Sequence, residues 1–168
     1  MSQITRPTIL LVDSDPESLF NVAAILVAQQ HRVITSKNSN AAILMAKQEP
    51  LDLLITETRL GDTTGEQLIK VIRMQPSNSD LPVMFVSAGQ STDVIRRTNS
   101  SGSAFHLRKP IDQQVLIELV DKALWMPHLV KNHIDQKTVK EPHVSFAQNP
   151  LASPFSTNAI FPGTPISQ

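Results

Sequence analysis

The sequence contains no cysteine, no charge imbalance and no long apolar run, and each absence removes a class of function. Without cysteine there is no disulfide, no thiolate metal site and no cysteine nucleophile, which is compatible with a reducing compartment. The formal net charge is zero and the isoelectric point lies near 7.0. No long-range field therefore draws in nucleic acid or an anionic membrane. No stretch approaches the roughly 20 apolar residues of a membrane span. The opening "MSQITRPTILLVDSD" reaches an acid too soon to hold a signal-peptide core. The expectation is a soluble, cytoplasmic protein. At 168 residues it has room for one domain with a real core and too little for two.

What is present divides near residue 126. Residues 1–7 form a leader. From 8 to 126, short apolar runs alternate with helical patterns: "TILLV", "RVITS", "LDLLIT", "LPVMFVS" and "AFHL" each precede one. Helices are predicted over 16–30 (Leu19, Val22, Ala23, Leu26 and Val27 on one face), 39–48, 65–75 and 112–125, with a polar segment over 91–101. In the last helix Val115, Leu116, Leu119, Val120, Ala123 and Leu124 repeat with helical period. Five strand–helix units predict an α/β fold: a five-stranded parallel sheet with helices on both faces. Residues 127–168 hold half of the chain's twelve prolines and show no period, which predicts a largely disordered tail.

In such a sheet, function gathers at the carboxyl ends of the strands, near the point where strand order reverses. The first strand ends in Asp13-Ser14-Asp15, the third in Glu57, the fourth in Ser87-Ala88 and the fifth in Lys109-Pro110. Each has a plain structural explanation. Asp15 before Pro16, for example, is a good helix N-cap with proline at the first helical position. Their coincidence on one edge is harder to explain that way.

"ILLVDSDPES", "LDLLITETRLGDTTGEQL", "LPVMFVSAG" and "SGSAFHLRKPID", in this order and spacing, resemble the receiver domain of two-component response regulators. The resemblance covers about residues 8–126 and implies a flavodoxin-like strand order and a phosphorelay signalling role, without enzymatic activity. In that family an aspartate ending strand three accepts a phosphoryl group from a histidine kinase. An acidic pair after strand one holds Mg²⁺, a Ser or Thr ends strand four, and a Lys ends strand five. Asp13, Ser87 and Lys109 match, Gly102 matches a turn glycine, and His106 sits where the family often carries an aromatic switch residue. Two positions depart: Glu57 stands in the phosphoacceptor's place, and Ser14 replaces the second acid, with Asp15 one place later. A Glu carries its carboxylate about 1.5 Å further out, and Mg²⁺ demands near-ideal geometry. Phosphorylation at Glu57 is therefore not expected, and Mg²⁺ binding at Asp13 and Glu57 is absent or weak. The Lys109–Pro110 bond is expected to be cis, with the Lys109 amine within about 3 Å of Glu57 or Asp13.

The implied partners are a histidine kinase or a downstream effector. The surface of the fourth helix, fifth strand and fifth helix is also open to a homodimer. An apolar cluster in the tail, "PLASPFSTNAIFP" with Phe155, Ile160 and Phe161, is a candidate docking segment. The chain lacks a helix-turn-helix pattern or basic stripe for DNA, and no glycine-rich phosphate loop follows the first strand. One enzymatic alternative exists: "DSD" has the DxD form of haloacid dehalogenase-type phosphatases, with Asp13 as nucleophile and Asp15 as general acid.

Overall fold

The computed structural model describes residues 6–61, 63–89 and 104–138, with the side chains of 127–138 excluded. The order is β1 (Thr8–Val12), α1 (Pro16–Ala28), β2 (Arg32–Ser36), α2 (Ser39–Gln48), β3 (Leu53–Glu57), a two-residue hairpin of β4 (Arg59–Leu60) and β5 (Thr63–Thr64), α3 (Gly65–Arg73), β6 (Val83–Ser87), β7 (Ala104–Arg108) and α4 (Gln113–Thr138). The predicted segment 91–101, Gly102 and the docking cluster at 150–162 lie outside the described residues.

The main sheet has the order β2-β1-β3-β6-β7, every pairing parallel. Strands buried on both faces need continuous apolar runs, and β1 and β3 supply them: Ile9, Leu10, Val12, Leu53, Leu54 and Ile55 are fully buried. Alternate residues feed two cores. Ile9, Leu11, Leu53, Ile55, Met84 and Val86 meet α1 and α4. Leu10, Val12, Leu54, Val83 and Phe85 meet α2 and α3. This is the expected α/β sandwich.

Three details differ from the sequence reading. Val27 and Val115, assigned to core faces, are 58% and 43% exposed. At about 100° per residue each lies roughly 100° from the centre of its helix's buried stripe. The β4–β5 hairpin was not foreseen, since two-residue strands carry no period; Gly61, at φ 68°, sits at its turn. Finally, α4 runs to Thr138, through Pro127 and beyond the predicted helix end at 125. A proline removes one helical hydrogen bond, which kinks a helix as readily as ending it.

The topology fixes where side chains meet. Chain order reverses on either side of β1, so β1 and β3 end next to each other at the switch point. Val12 pairs with Thr56, which sets Asp13 and Glu57 level at the carboxyl edge.

Candidate functional site

Asp13 follows the last residue of β1 and is only 3% exposed. Its backbone N–H is held by the Ser36 carbonyl at 3.1 Å. Its carboxylate is fully engaged: Oδ1 accepts from the Asp15 N–H at 2.9 Å, and Oδ2 accepts from Ser18 Oγ at 2.6 Å and Lys109 Nζ at 2.8 Å. Glu57 ends β3. Its Oε1 accepts from Lys109 Nζ at 2.7 Å, and its Oε2 accepts from Ser14 Oγ at 2.7 Å and the Ser14 N–H at 3.1 Å. Lys109 thus bridges both acids from the loop after β7. The Lys109–Pro110 bond is cis, as expected from sequence. The lysine backbone is tied to β6 through its N–H and the Ser87 carbonyl, 2.8 Å apart.

The electrostatics follow from this geometry. Burial pushes Glu57 up, but the bonds from Lys109 and Ser14 outweigh it and hold the carboxyl below its ordinary value. Burial pulls Lys109 down, and its bonds to Asp13 and Glu57 outweigh that and raise it. Both groups are therefore ionised at neutral pH. Two carboxylates and one ammonium sum to a single negative charge.

The remaining candidates are arranged less tightly. Asp15 caps α1, its carboxylate accepting from the Glu17 N–H at 3.1 Å. The plain structural explanation holds for it. Ser87 sits on the same edge, but its hydroxyl donates to the Gly89 carbonyl at 3.5 Å rather than joining the cluster. Ala88 is exposed. His106 is half-buried and stacks on Phe85, ring centroids 5.6 Å apart, and burial lowers its pKa. Sequence reasoning missed Ser18, whose place in the first turn of α1 aims it back at Asp13. It also missed Ser14 as the partner of Glu57; the departure was legible, the new bond was not.

A family comparison decides what this edge belongs to: residues 9–121 match the response regulator receiver domain. The chain belongs to that family. Among curated receiver relatives, Protein PilH of Pseudomonas aeruginosa is 26% identical over 117 residues, covering 69% of this chain and 96% of PilH. The transcriptional regulatory protein GlrR of Escherichia coli is 30% identical over 118 residues, covering 69% of this chain but only 26% of GlrR. Of solved structures, the chemotaxis protein CheY4 of Vibrio cholerae aligns with a TM-score of 0.68 at 21% identity, covering 71% of this chain and all of that one, which shows the fold. The receiver domain is a signalling domain of two-component systems. No described helix is long and apolar enough to cross a membrane. The phosphatase alternative gains nothing from these comparisons, and its general-acid candidate, Asp15, is engaged as a helix cap.

Proposed function

We propose that this receiver domain is not phosphorylated at Glu57 and signals in one fixed conformation through protein contacts. The observation that carries the reading is the state of the Glu57 carboxylate. Both of its oxygens are committed, one to Lys109 and the other to the Ser14 hydroxyl and N–H. Phosphoryl transfer needs a nucleophile aligned with the bond it breaks. Here alignment is lost twice, through the extra methylene of Glu57 and through the bonds that hold it.

The Mg²⁺ that serves this family does not fit the residues present. Each oxygen of Asp13 and Glu57 already accepts a hydrogen bond, and a lysine ammonium lies 2.7–2.8 Å from both groups. Ser14 is a neutral donor where the family places an acid. Among the described residues no three acidic or histidine side chains come together as a metal site. A direct Lys109–Glu57 bond also ties the end of β7 to the end of β3 without a phosphoryl group between them. That tie supports a single conformation rather than a switch, although one carboxylate charge falls short of the nearly two of a phosphoryl group.

The relatives include response regulators and a sensor histidine kinase, GacS of Pseudomonas protegens, 26% identical over 141 residues. Partners are accordingly proteins of a two-component pathway. The test is a calorimetric Mg²⁺ titration of the wild type and of Glu57→Asp/Ser14→Asp, which rebuilds the acidic pair around Asp13, Ser87 and Lys109. Binding heat is expected only from the double variant. Equal Mg²⁺ affinity in the two proteins would defeat the proposal.

A further inference from the structure

His31 stands where α1 closes and β2 begins. The helix ends in a Schellman turn: the His31 N–H donates to the Leu26 carbonyl at 3.1 Å and the Gln30 N–H to the Val27 carbonyl at 2.9 Å. Gln30 takes the left-handed conformation that this turn requires, at φ 63°. On the other side the Arg32 N–H donates to the Pro7 carbonyl at 2.9 Å. The backbone on both sides of His31 is therefore pinned, and its ring has one place to sit.

That place does not suit a charge. The residue is half-buried, and its Nδ1 is shut off from solvent without a hydrogen-bond partner. In a neutral imidazole this nitrogen is an unused acceptor; in the protonated ring it becomes a donor on a cation. A buried donor without a partner is costly, and a buried unpaired charge costs more. The neighbouring charges do not remove that cost. Asp121 of α4 attracts the charged form, but burial outweighs it and holds the ring's pKa below its ordinary value. Arg32, the next residue, is paired with Glu49, and the last turn of α1 carries no charge.

Two helices meet here. Leu26 of α1 and Ala123 and Leu124 of α4 belong to one core cluster, so His31 and Asp121 mark the junction of the two helices on this face of the sheet. Asp121 also rims, with Lys122, a cavity of about 480 Å³ formed with Phe105 of β7, Trp125 and Met126. Arg32 pairs with Thr8, the first residue of β1, which puts His31 at the amino edge of the sheet. The cluster of Asp13, Glu57 and Lys109 lies at the opposite edge.

We propose that His31 is a proton-operated latch at the junction of α1 and α4. Neutral, the ring keeps its buried place and the two helices stay closed on the sheet. Protonated, it leaves that place for solvent, and the junction loosens beside the cavity on β7 and α4. The sign follows from linkage. Because burial holds the folded pKa below the unfolded one, the latch contributes fully above the unfolded value. That contribution is lost as pH falls from the unfolded value through the folded one. The latch does not depend on whether Glu57 accepts a phosphoryl group.

Hydrogen exchange of the full chain at pH 7.5 and pH 5.0, followed by mass spectrometry, tests this on the wild type and His31→Gln. His106 is shifted in the same direction by burial, and both proteins keep it, so its effect cancels. The wild-type-to-variant ratio of exchange rates should rise at least about threefold from pH 7.5 to pH 5.0 in peptides spanning the end of α1 and Asp121. In β3 the ratio should not change. A second measurement needs no change at His31. Asp121→Asn removes the attraction that favours the proton, so its His31 ring should titrate at lower pH by NMR than in the wild type, a shift that a merely structural aspartate would not cause. A wild-type His31 that titrates at its ordinary 6.5 or above, or one unmoved by Asp121→Asn, overturns the proposal. So does an exchange ratio that does not change with pH.

Discussion

Lys109→Met removes the one cation from the cluster while keeping a stem of similar length. The ammonium donates to Glu57 and Asp13 at 2.7 and 2.8 Å, and the three side chains are 19% (Lys109), 17% (Glu57) and 5% (Asp13) exposed. In the variant Asp13 Oδ2 keeps Ser18 and Glu57 Oε2 keeps Ser14, but Glu57 Oε1 loses its lysine and two carboxylates face each other. Breaking a fully buried pair costs about 3–5 kcal/mol, and an exposed pair is worth about 0–1. Partial solvent access screens this cluster, so the loss at neutral pH should be about 2 kcal/mol. For a domain of this size that lowers the melting temperature by roughly 6–10 °C.

The pH dependence sharpens the test. Glu57 is depressed below its ordinary 4.5, so its contribution is present above the unfolded value and disappears as pH falls through the folded one. Lys109 is raised above 10.5, so its contribution is present below that value and disappears as pH rises through the folded one. The gap between wild type and Lys109→Met should be widest between about pH 5 and pH 10 and close toward both extremes. Urea unfolding across that range measures it. A gap below about 0.5 kcal/mol, the scatter of ordinary surface substitutions, or one that does not change with pH would refute the cluster as a stabilising unit.

Two other substitutions probe the supports of the site, and a third probes the opposite, amino end of β3. Ser14→Ala keeps the backbone donor to Glu57 but deletes the hydroxyl, so it should cost about 1 kcal/mol in chemical denaturation, and carboxyl-carbon NMR should show Glu57 titrating at higher pH than in the wild type. Gly65→Ala would place a Cβ 2.4 Å from the Glu57 carbonyl oxygen and 2.9 Å from Thr56 Cγ2. Overpacking against backbone at the root of the site should cost upwards of about 2 kcal/mol in thermal unfolding. Asn78, 1% exposed, accepts from the Leu51 N–H at 3.2 Å and donates to the Ala46 carbonyl at 3.1 Å. Asn78→Leu leaves both groups buried without that partner and should destabilise by about 2–4 kcal/mol.

These residues differ in how far the sequence revealed them. The apolar runs in β1 and β3 were legible because a strand buried on both faces leaves no polar alternation. Strand ends at the predicted switch point gather Asp13, Glu57 and Lys109 from the sequence alone. Lys109–Pro110 added its own local mark. Ser18 was invisible, because a serine in a first helical turn is ordinary and only the angle of α1 aims it at Asp13. The bond from Ser14 to Glu57 was hidden for a similar reason: sequence showed a missing acid, and only three dimensions show what the hydroxyl does instead.

The central claim is that Glu57, held on both oxygens, does not accept a phosphoryl group. Intact-mass measurement after incubation of the full chain with acetyl phosphate and Mg²⁺ addresses it directly. The expected spectrum shows the unmodified mass alone. A stable gain of one phosphoryl group that disappears in Glu57→Gln would contradict the account.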